Sequence, residues 1–567
     1  MARSRLAFRE GSALEWGMAH PDPARPSRPG HALLIRDLLH RVRSWAPGRT
    51  ITYRDRVTLT YEEWHGRTAR LATWLGELGV GPGDRVGVLD WDSHRVLEMF
   101  FAVPGVGATL HTVNVKLTPE QVGYTIQHAR DTVLFVHPDF LRMLEGIRGF
   151  LGRVRHVVVL AEGPWEAPGG LPVAGEYEEG LRRVAPVASW PDLDEDMAAT
   201  LFYTTGTTGE PKGVSFSHRQ IVLHTLAAGM TLAAHDEPMA LRASDVYMPL
   251  TPMFHVHAWG VPYIAVTLGM TQVYPGRYEP SMLLALLERH RVTFSHCVPT
   301  LLLMLLRHPS SGDVGWSRLK LVIGGAALIP AVAREARGRG IRIVGGYGMS
   351  ETCPIVAVSH VKPGMDLGED GGDGEVDVVT RTGFPLPLVQ ARVVDEDGRE
   401  LQAGTGGVGE LVLRSPWLTD GYVDDPGASD RLWRDGWLHT GDGARIDADG
   451  YIRITDRIKD VIKIGGEWIS SLGIEEVLAR HPAVAEAAVI GVPDAKWDEH
   501  PRAEVVLRAG VAAPTPRDLV RHLRAAVEAG ALHQRALLTE VAFVEAIPRT
   551  SVGKIDKKRM RAAARGL

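Results

Sequence analysis

The chain has 567 residues, and its 63 Lys and Arg residues against 68 Asp and Glu residues give a formal net charge of -5. This length exceeds what one hydrophobic core organises, so we expect two or more domains, and the weak charge without a basic block argues against a nucleic-acid partner. The two cysteines, Cys297 and Cys353, lack the spacing of a zinc site or a disulfide framework, which is typical of a cytoplasmic protein.

The first half of the chain predicts an extended arm followed by layers of strands and helices. Residues 1–30 are interpreted as the arm; they lack the apolar segment of a secretory signal, and no run in the chain is apolar for long enough to form a transmembrane helix. Thr60 and Glu63 have the spacing of a capping box, and apolar residues then recur at helical intervals up to Gly79. Short apolar runs alternate with helical patterns and predict parallel strands. These runs are Val86–Leu89, Thr132–Val136 and Val157–Leu160.

The second half changes in composition twice. Residues 364–375 are dense in Gly, Asp and Glu and predict a surface loop. Asp-Gly turns between short strands then predict a small β-rich subdomain, and Thr515 before Pro516 predicts the start of a helix. We therefore predict an α/β fold with a large N-terminal domain and a small, mobile α+β C-terminal lid. The predicted bounds are 31–456 for the large domain, with α/β subdomains at 31–200 and 201–390 and the β-rich subdomain at 391–455, and 457–567 for the lid.

The most informative segment runs from Tyr203 to Val214 and reads Tyr-Thr-Thr-Gly-Thr-Thr-Gly-Glu-Pro-Lys-Gly-Val. Its glycines allow backbone N–H groups to approach phosphate oxygens, its hydroxyls add donors, and its lysine supplies positive charge. It is not a Walker loop, because Pro211 stands where the second glycine of that motif belongs. The segment predicts a loop that wraps the phosphates of a nucleotide. Its predicted contacts are Thr204, Thr205, Gly206, Thr207, Thr208, Gly209 and Lys212.

This loop resembles the phosphate loop of the adenylate-forming superfamily, which contains acyl-CoA synthetases, peptide-synthetase adenylation domains and luciferases. Four further segments agree with that superfamily in order and spacing. They are Tyr347–Thr352, Trp437–Asp442, Asp456–Gly466 and Pro548–Asp556. The resemblance covers the chain from residue 31 to its end. It implies that Mg-ATP activates a carboxylic acid as an acyl-AMP, whose acyl group then passes to a thiol such as coenzyme A.

The resemblance also implies a role for individual residues around the nucleotide. Asp442 would accept hydrogen bonds from both ribose hydroxyls, with support from Arg457. Glu351 and Thr207 would hold Mg²⁺ through oxygen atoms, which are the ligands this ion prefers. Adenine and the α-phosphate would be contacted by Tyr347, Gly348 and Ser350, where Ser350 keeps the hydroxyl of the threonine more usual in the family.

Three lysines near the C-terminus are implied to serve two half-reactions in turn. Lys554 would stabilise the negative charge that builds as the carboxylate attacks the α-phosphorus and pyrophosphate leaves. Lys459 occupies the hinge position, where a short linker lets the lid rotate. In the rotated pose Lys463 would replace Lys554, and Gly465 and Gly466 would line a narrow channel for the thiol.

The acyl pocket is placed by the same resemblance. His255 falls on a pocket wall where amino-acid-activating relatives carry an aspartate, and a neutral ring there argues against an α-amino acid, because an unpaired buried ammonium is costly. Trp259 is either a second wall or a packing residue, and His257 is expected in the core. The remaining lining would be Val298, Gly324, Gly325, Ala326 and Gly346. Such small and apolar groups imply a fatty or aryl acid. The sequences of these segments are most similar to the medium- and long-chain fatty-acyl-CoA synthetase branch, some of whose members are homodimers.

One departure and three alternatives remain open at this point. The segment Gln534–Thr539 lacks the lysine or aromatic residue and the proline that relatives use to dock the thiol donor. The enzyme could therefore load a separate carrier protein, or adenylate another oxyanion such as nitrite to nitrosate an aryl amine. A nucleotide-binding protein without activity would need a broken site, yet Lys212, Glu351, Asp442 and Lys554 are all present.

Overall fold

The structure is a computed structural model of the chain. It describes residues 31–166, 169–204, 210–236, 239–368, 372–464, 467–494, 496–508, 510–530, 532–549 and 555–565. The described strands form four β-sheets, with helices packed on the larger ones. The predicted arm at residues 1–30 lies outside the described residues.

The first sheet has seven strands, and all neighbours in it are parallel except the last pair. In sheet order they are Val173–Glu176, His156–Val159, Val133–Val136, Arg85–Leu89, Thr109–Thr112, Ala198–Thr204 and Lys212–Ser217. The central strands are buried on both faces, as expected for β-branched runs in a parallel sheet. Each of the three strands predicted in this region is confirmed within one residue at both ends, and two of them end at the predicted residue.

The second sheet has nine strands, with a parallel centre and antiparallel edges. In sheet order they are Phe384–Pro385, Ile355–Val358, Arg342–Gly348, Lys320–Ile323, Phe294–Cys297, Val246–Tyr247, Thr271–Tyr274, Thr50–Tyr53 and Val57–Thr60. The first and second sheets share one continuous hydrophobic core.

Two smaller sheets follow in the chain. The third is antiparallel and contains Gln390–Val394, Gly409–Arg414, Trp433–Arg434, Trp437–Ile446 and Ile452–Arg457. The fourth contains Ile462–Ile464, Glu467–Ile469, Val484–Asp494, Asp498–Leu507 and Glu540–Phe543, and it has a core of its own. A mixed α/β fold with a large N-terminal and a small C-terminal part is therefore confirmed, whereas the exact domain bounds stay a prediction.

Helices connect the strands and cover the sheets. The α-helices of the described residues are Asp37–Trp45, Tyr61–Glu77, His94–Gly105, Pro119–Ala129, Leu141–Gly146, Tyr177–Arg183, His218–Ala233, Val261–Leu268, Pro280–Arg289, Pro299–Arg307, Pro330–Gly338, Gly372–Val379, Pro426–Leu432, Ser471–Ala479, Pro516–Glu528 and Lys557–Ala564. Both predicted caps are confirmed, since the hydroxyls of Thr60 and Thr515 accept hydrogen bonds from the third residue of their helices. None of the described helices is long and apolar enough to cross a bilayer.

The surface loop predicted for residues 364–375 is wrong at its end, because Gly372–Val379 is a helix. Three valines in the second half of this helix are buried, and they lie beyond the polar stretch on which the prediction rested. Acidic residues at its start pair with the helix Pro330–Gly338, Asp373 with Arg334 at 3.0 Å and Glu375 with Arg337 at 2.6 Å. The acidic residues that predicted a loop are thus, at the end of the segment, helix residues that form ion pairs.

Candidate active site

The predicted phosphate loop connects two paired strands at the edge of the first sheet. Thr204 ends one strand and lies opposite Lys212, which starts the next. The five residues between Thr204 and Glu210, namely Thr205, Gly206, Thr207, Thr208 and Gly209, lie outside the described residues. The ammonium of Lys212 is half-buried, 3.9 Å from a carboxylate oxygen of Asp425 and 4.6 Å from the centre of the Tyr422 ring. This lysine is therefore fixed at the base of the loop.

Glu351 shares a neighbour with this lysine, Tyr422, although the two are far apart in sequence. It occupies a short 3-10 turn, Ser350–Thr352, and is only 7% exposed. The hydroxyl of Tyr422 donates a hydrogen bond of 2.6 Å to its Oε1. Burial and the neighbouring carboxylate raise the pKa of Tyr422, so the phenol keeps its proton and stays a donor. Tyr422 thus contacts both a buried carboxylate and a cation.

Asp442 forms the second half of the site. The hydroxyl of Tyr347 donates to its Oδ2 at 2.6 Å, and Nε of Arg457 lies 2.7 Å from its Oδ1. That Nε is not directed at Oδ1, which is buried and accepts no hydrogen bond within the described part of the chain. Burial lowers the pKa of Arg457, but the carboxylate of Asp442 outweighs this effect and raises it, so the cation is retained. A buried acceptor with spare capacity suits a ribose hydroxyl.

An apolar cavity adjoins these polar groups. Its lining includes five of the residues predicted for the acid and three of those predicted for the nucleotide. The lining residues are His255, Val256, Trp259, Val322, Gly324, Gly325, Gly346, Tyr347, Gly348, Met349, Ser350, Pro354 and Ile355. Of the predicted lining that the structure describes, Val298 and Ala326 are not among these residues. Val298 caps the helix Pro299–Arg307, and Ala326 is exposed in the turn after a strand.

The walls of this cavity depend on an unusual turn. Val256, His257, Ala258 and Trp259 all have positive φ angles, between 48° and 59°, so they form one left-handed turn without glycine. Each such residue costs about 1–2 kcal/mol, and the surroundings must hold it in place. The turn is held in part by His257, which packs as a core residue between aromatic rings and whose pKa burial lowers to about 3.

Trp259 emerges from the turn as a cavity wall. A Cβ added to Gly324 would lie 3.1 Å from its ring, and the ring centre is 5.0 Å from that of His296. The indole therefore fills the space that glycine leaves open on the neighbouring strand. Trp259 therefore has both of the roles considered for it, because its ring lines the cavity and also packs against His296.

The C-terminal residues of the predicted site are only partly described. Lys554, Gly465 and Gly466 lie outside the described residues. Lys463 is exposed on the strand Ile462–Ile464, and its N–H donates to Glu499. Burial, with the neighbouring guanidinium of Arg457, lowers the pKa of Lys459. The structure thus does not bring the predicted lysines together within its described part.

Sequence analysis missed Tyr422 and Asp425, which contact Lys212 directly. They follow Asp420 and Gly421 in a stretch whose apolar residues show no regular spacing. The local signal there was Asp425 before Pro426, which is typical of the start of a helix. Their backbone pairs with the strand Lys212–Ser217, a contact between segments some two hundred residues apart. Such long-range pairing leaves no trace in local sequence.

Comparison with known proteins agrees with this geometry. Residues 39–423 match the AMP-binding enzyme family, and residues 473–554 match the AMP-binding enzyme C-terminal domain. The chain is 42% identical to a long-chain-fatty-acid–CoA ligase of Thermus thermophilus, over 88% of this chain and 89% of that one. It is 38% identical to a 3-methylmercaptopropionyl-CoA ligase of Ruegeria pomeroyi, over 87% and 89%.

Solved structures give the same result for the fold. The anthranilate CoA ligase AuaEII in complex with anthranoyl-AMP superimposes with a TM-score of 0.82, at 26% identity, over 94% of this chain and 98% of that one. ATP-bound MatB from Rhodopseudomonas palustris superimposes with a TM-score of 0.78, also at 26% identity, over 93% and 98%. The chain therefore belongs to the AMP-binding enzyme family, within the fatty-acyl-CoA ligase branch of the adenylate-forming superfamily that its motifs resemble.

Proposed function

We propose that this enzyme uses Mg-ATP to activate a carboxylic acid as an acyl-AMP, with release of pyrophosphate, and then transfers the acyl group to the thiol of coenzyme A. One observation carries the proposal. Tyr347 lines the apolar cavity with His255 and Trp259, and its hydroxyl binds Asp442. An acid in the cavity and a nucleotide whose ribose binds Asp442 would therefore meet at Tyr347.

The chain's own groups account for the first half-reaction. Lys212 supplies positive charge to the phosphates, and Asp442 holds the ribose, so that the α-phosphorus faces the carboxylate at the mouth of the cavity. Glu351 is the carboxylate that would hold Mg²⁺, which usually takes one or two protein carboxylates and completes its shell with phosphates and water. When bound, the metal neutralises phosphate charge. Lys554 is our candidate for stabilising the charge on the leaving pyrophosphate.

A fatty or aryl acid fits the cavity best. Its walls are glycines and aromatic or aliphatic side chains, and no carboxylate faces the described lining that could pair with an α-ammonium. The two ligases compared above carry long-chain fatty acid and 3-methylmercaptopropionate in their names, and the AuaEII complex holds anthranoyl-AMP. These acids share an apolar body behind one carboxylate, which is the feature that we assign to this substrate.

Coenzyme A is the acceptor that the relatives support, since their names describe CoA ligases. In this half-reaction we assign Lys459 to the hinge, Lys463 to the rotated active site, and Gly465 and Gly466 to the thiol channel. Loading of a carrier protein and adenylation of nitrite remain alternatives for the experiment below. A cytoplasmic location and a homodimer stay predictions.

The proposal is tested with a panel of straight-chain and aryl acids, with nitrite as a further arm. Acid-dependent pyrophosphate release, measured without a thiol, should select one class of acid. Addition of coenzyme A should then convert the single turnover into multiple turnovers and yield the thioester. If a carrier protein but not coenzyme A restores turnover, the acceptor is the carrier protein. If pyrophosphate release depends on nitrite alone, the substrate is nitrite rather than a carboxylic acid. No release with any arm would contradict adenylation itself.

A further inference from the structure

Tyr422 stands between the two residues that we assign to the nucleotide phosphates and the metal. Its hydroxyl donates to Oε1 of Glu351 at 2.6 Å. The centre of its ring is 4.6 Å from the ammonium of Lys212, within the range of a cation–π contact. One side chain therefore contacts the anion through its edge and the cation through its face.

The backbone around Tyr422 is attached to the same two places. The segment 419–425 runs between the strand that begins with Lys212 and the turn that carries Glu351. The N–H of Val423 donates to the carbonyl of Gly213 at 2.9 Å, and the N–H of Thr419 donates to the carbonyl of Glu351 at 3.0 Å. Because both ends of the segment are bonded in this way, Tyr422 is held at a fixed position between loop and turn.

We propose that Tyr422 is a positioning residue for Mg-ATP: it fixes the Glu351 carboxylate and the Lys212 ammonium at a set separation before the phosphates and the metal bind. The inference rests on the proposed function and adds a residue to it. Because the phenol engages Oε1 of Glu351, Oε2 would be the oxygen left to hold the metal or its water. The phenol also keeps the carboxylate of Glu351 from pairing directly with Lys212. In such an ion pair, neither group would be available to the phosphates or the metal.

Glu351 and Lys212 carry opposite charges on either side of Tyr422, so they would otherwise attract each other in this partly buried site. A direct ion pair would satisfy both groups internally. The neutral ring and hydroxyl separate them while giving each a partner, so that neither is left without a contact.

The test replaces Tyr422 by Phe, which keeps the ring over Lys212 and removes the hydroxyl. Binding of Mg-ATP, measured by calorimetry, should weaken about tenfold, in line with a lost hydrogen bond to a charged group. Binding of AMP, which needs neither the metal nor the outer phosphates, should stay within about twofold. The matched control is Tyr177→Phe, which removes a buried Tyr–Glu hydrogen bond of 2.5 Å to Glu98 and should leave both affinities unchanged.

A double-mutant cycle with Glu351→Ala, which removes the acceptor of the Tyr422 hydroxyl, shows whether the tyrosine acts through the carboxylate. In that background Tyr422→Phe should have no further effect on Mg-ATP, since interacting residues are not additive. Should Tyr422→Phe not fold, Ser429→Ala removes the hydroxyl that accepts the N–H of Tyr422 at 2.9 Å and should weaken Mg-ATP binding in the same selective way, to a smaller extent.

Two results would overturn the inference: unchanged Mg-ATP binding in the folded phenylalanine variant, or an equal loss for AMP and Mg-ATP. The first would mean that the hydroxyl does not prepare the site, and the second that Tyr422 only stabilises the fold. Both are binding measurements. If the wild-type protein binds Mg-ATP but releases no pyrophosphate with any acid, the proposed function is contradicted, whereas the binding test of Tyr422 can still be interpreted.

Discussion

Replacing Asp442 by Asn tests the ribose site most directly. In the wild type one oxygen of Asp442 accepts from Tyr347 at 2.6 Å and the other lies 2.7 Å from Arg457. Asparagine keeps a single acceptor oxygen and puts an NH₂ group where the second oxygen was. A ribose that donates two hydroxyl hydrogen bonds to Asp442 would keep one of them.

The size of the effect follows from these contacts. A hydrogen bond to a charged group contributes about 1.5–3 kcal/mol, which corresponds to about 10- to 150-fold in affinity. The ion pair with Arg457 adds less to stability, at most about 1 kcal/mol, because the arginine side chain is 44% exposed and solvent screens it. We therefore expect Asp442→Asn to weaken ATP binding by one to two orders of magnitude while the protein stays folded.

The assay compares ATP with 2′,3′-dideoxy-ATP by calorimetry. Wild-type enzyme should bind the dideoxy compound much more weakly, and Asp442→Asn should lose most of that preference, because the group that reads the hydroxyls is gone. Asp447→Asn is the matched control, since Asp447 pairs with Arg453 at 3.3 Å just beyond the same strand. An unchanged preference in Asp442→Asn would refute the ribose assignment, whatever its effect on overall affinity.

Three further changes test other parts of the site. Gly324→Ala should raise the KM for the acid, and more so for bulkier acids, since the added Cβ would lie 2.8 Å from the backbone oxygen of Gly346 and 3.1 Å from Trp259. Lys554→Ala should abolish acid-dependent pyrophosphate release but leave thiolysis of supplied acyl-AMP largely intact, as measured in separate half-reaction assays. Burial raises the pKa of Asp92 from 3.8 to about 7. Between about pH 4 and 7 the folded protein therefore keeps a proton on Asp92 that the unfolded chain has lost. Because of this proton, the free energy of unfolding should fall as the pH rises through this range. In urea titrations, Asp92→Asn should make the free energy of unfolding depend less on pH.

A different result would contradict each of these three predictions. For the glycine, Gly312→Ala is the control because a Cβ there meets nothing within 4 Å, and equal effects of both variants would refute the steric argument. Equal loss of both half-reactions in Lys554→Ala would contradict the two-lysine assignment. An Asp92→Asn variant whose stability keeps the wild-type pH slope would mean that other groups cause it.

Much of the fold could be predicted because its signals are local. A capping box at Thr60 and Glu63, or a β-branched run before a turn, is decided by neighbours within a few residues. The motif residues of the site were found in the same way, as short strings around Lys212 and Asp442. What joins these strings is not local. The bond from Tyr347 to Asp442 spans 95 positions, and the contact of Tyr422 with Lys212 spans still more.

The left-handed turn shows a second limit of sequence reasoning. Val256 is β-branched and disfavours positive φ, so its local preference argues against the conformation that it adopts. The surrounding core overrides that preference. Asp92 accepts the N–H of Met253 at 2.8 Å just before the turn, and His257 is locked among aromatic rings. Strain of this kind at a cavity wall depends on the assembled core and is invisible in the local pattern.

The contacts that cross the predicted hinge bear on how the second half-reaction begins. Asp456 precedes Lys459, and its Oδ2 accepts both the N–H and the hydroxyl of Ser471 at 2.6 Å, while Lys557 lies 2.7 Å from Glu475 in the same buried network. A rotation about Lys459 would carry Ser471 away from Asp456. Two hydrogen bonds to a buried carboxylate amount to about 3–6 kcal/mol, so the rotated pose must form new contacts of that order. Since a ligand shifts such an equilibrium only by its differential affinity, acyl-AMP formation and thiol binding must supply that difference between the two poses.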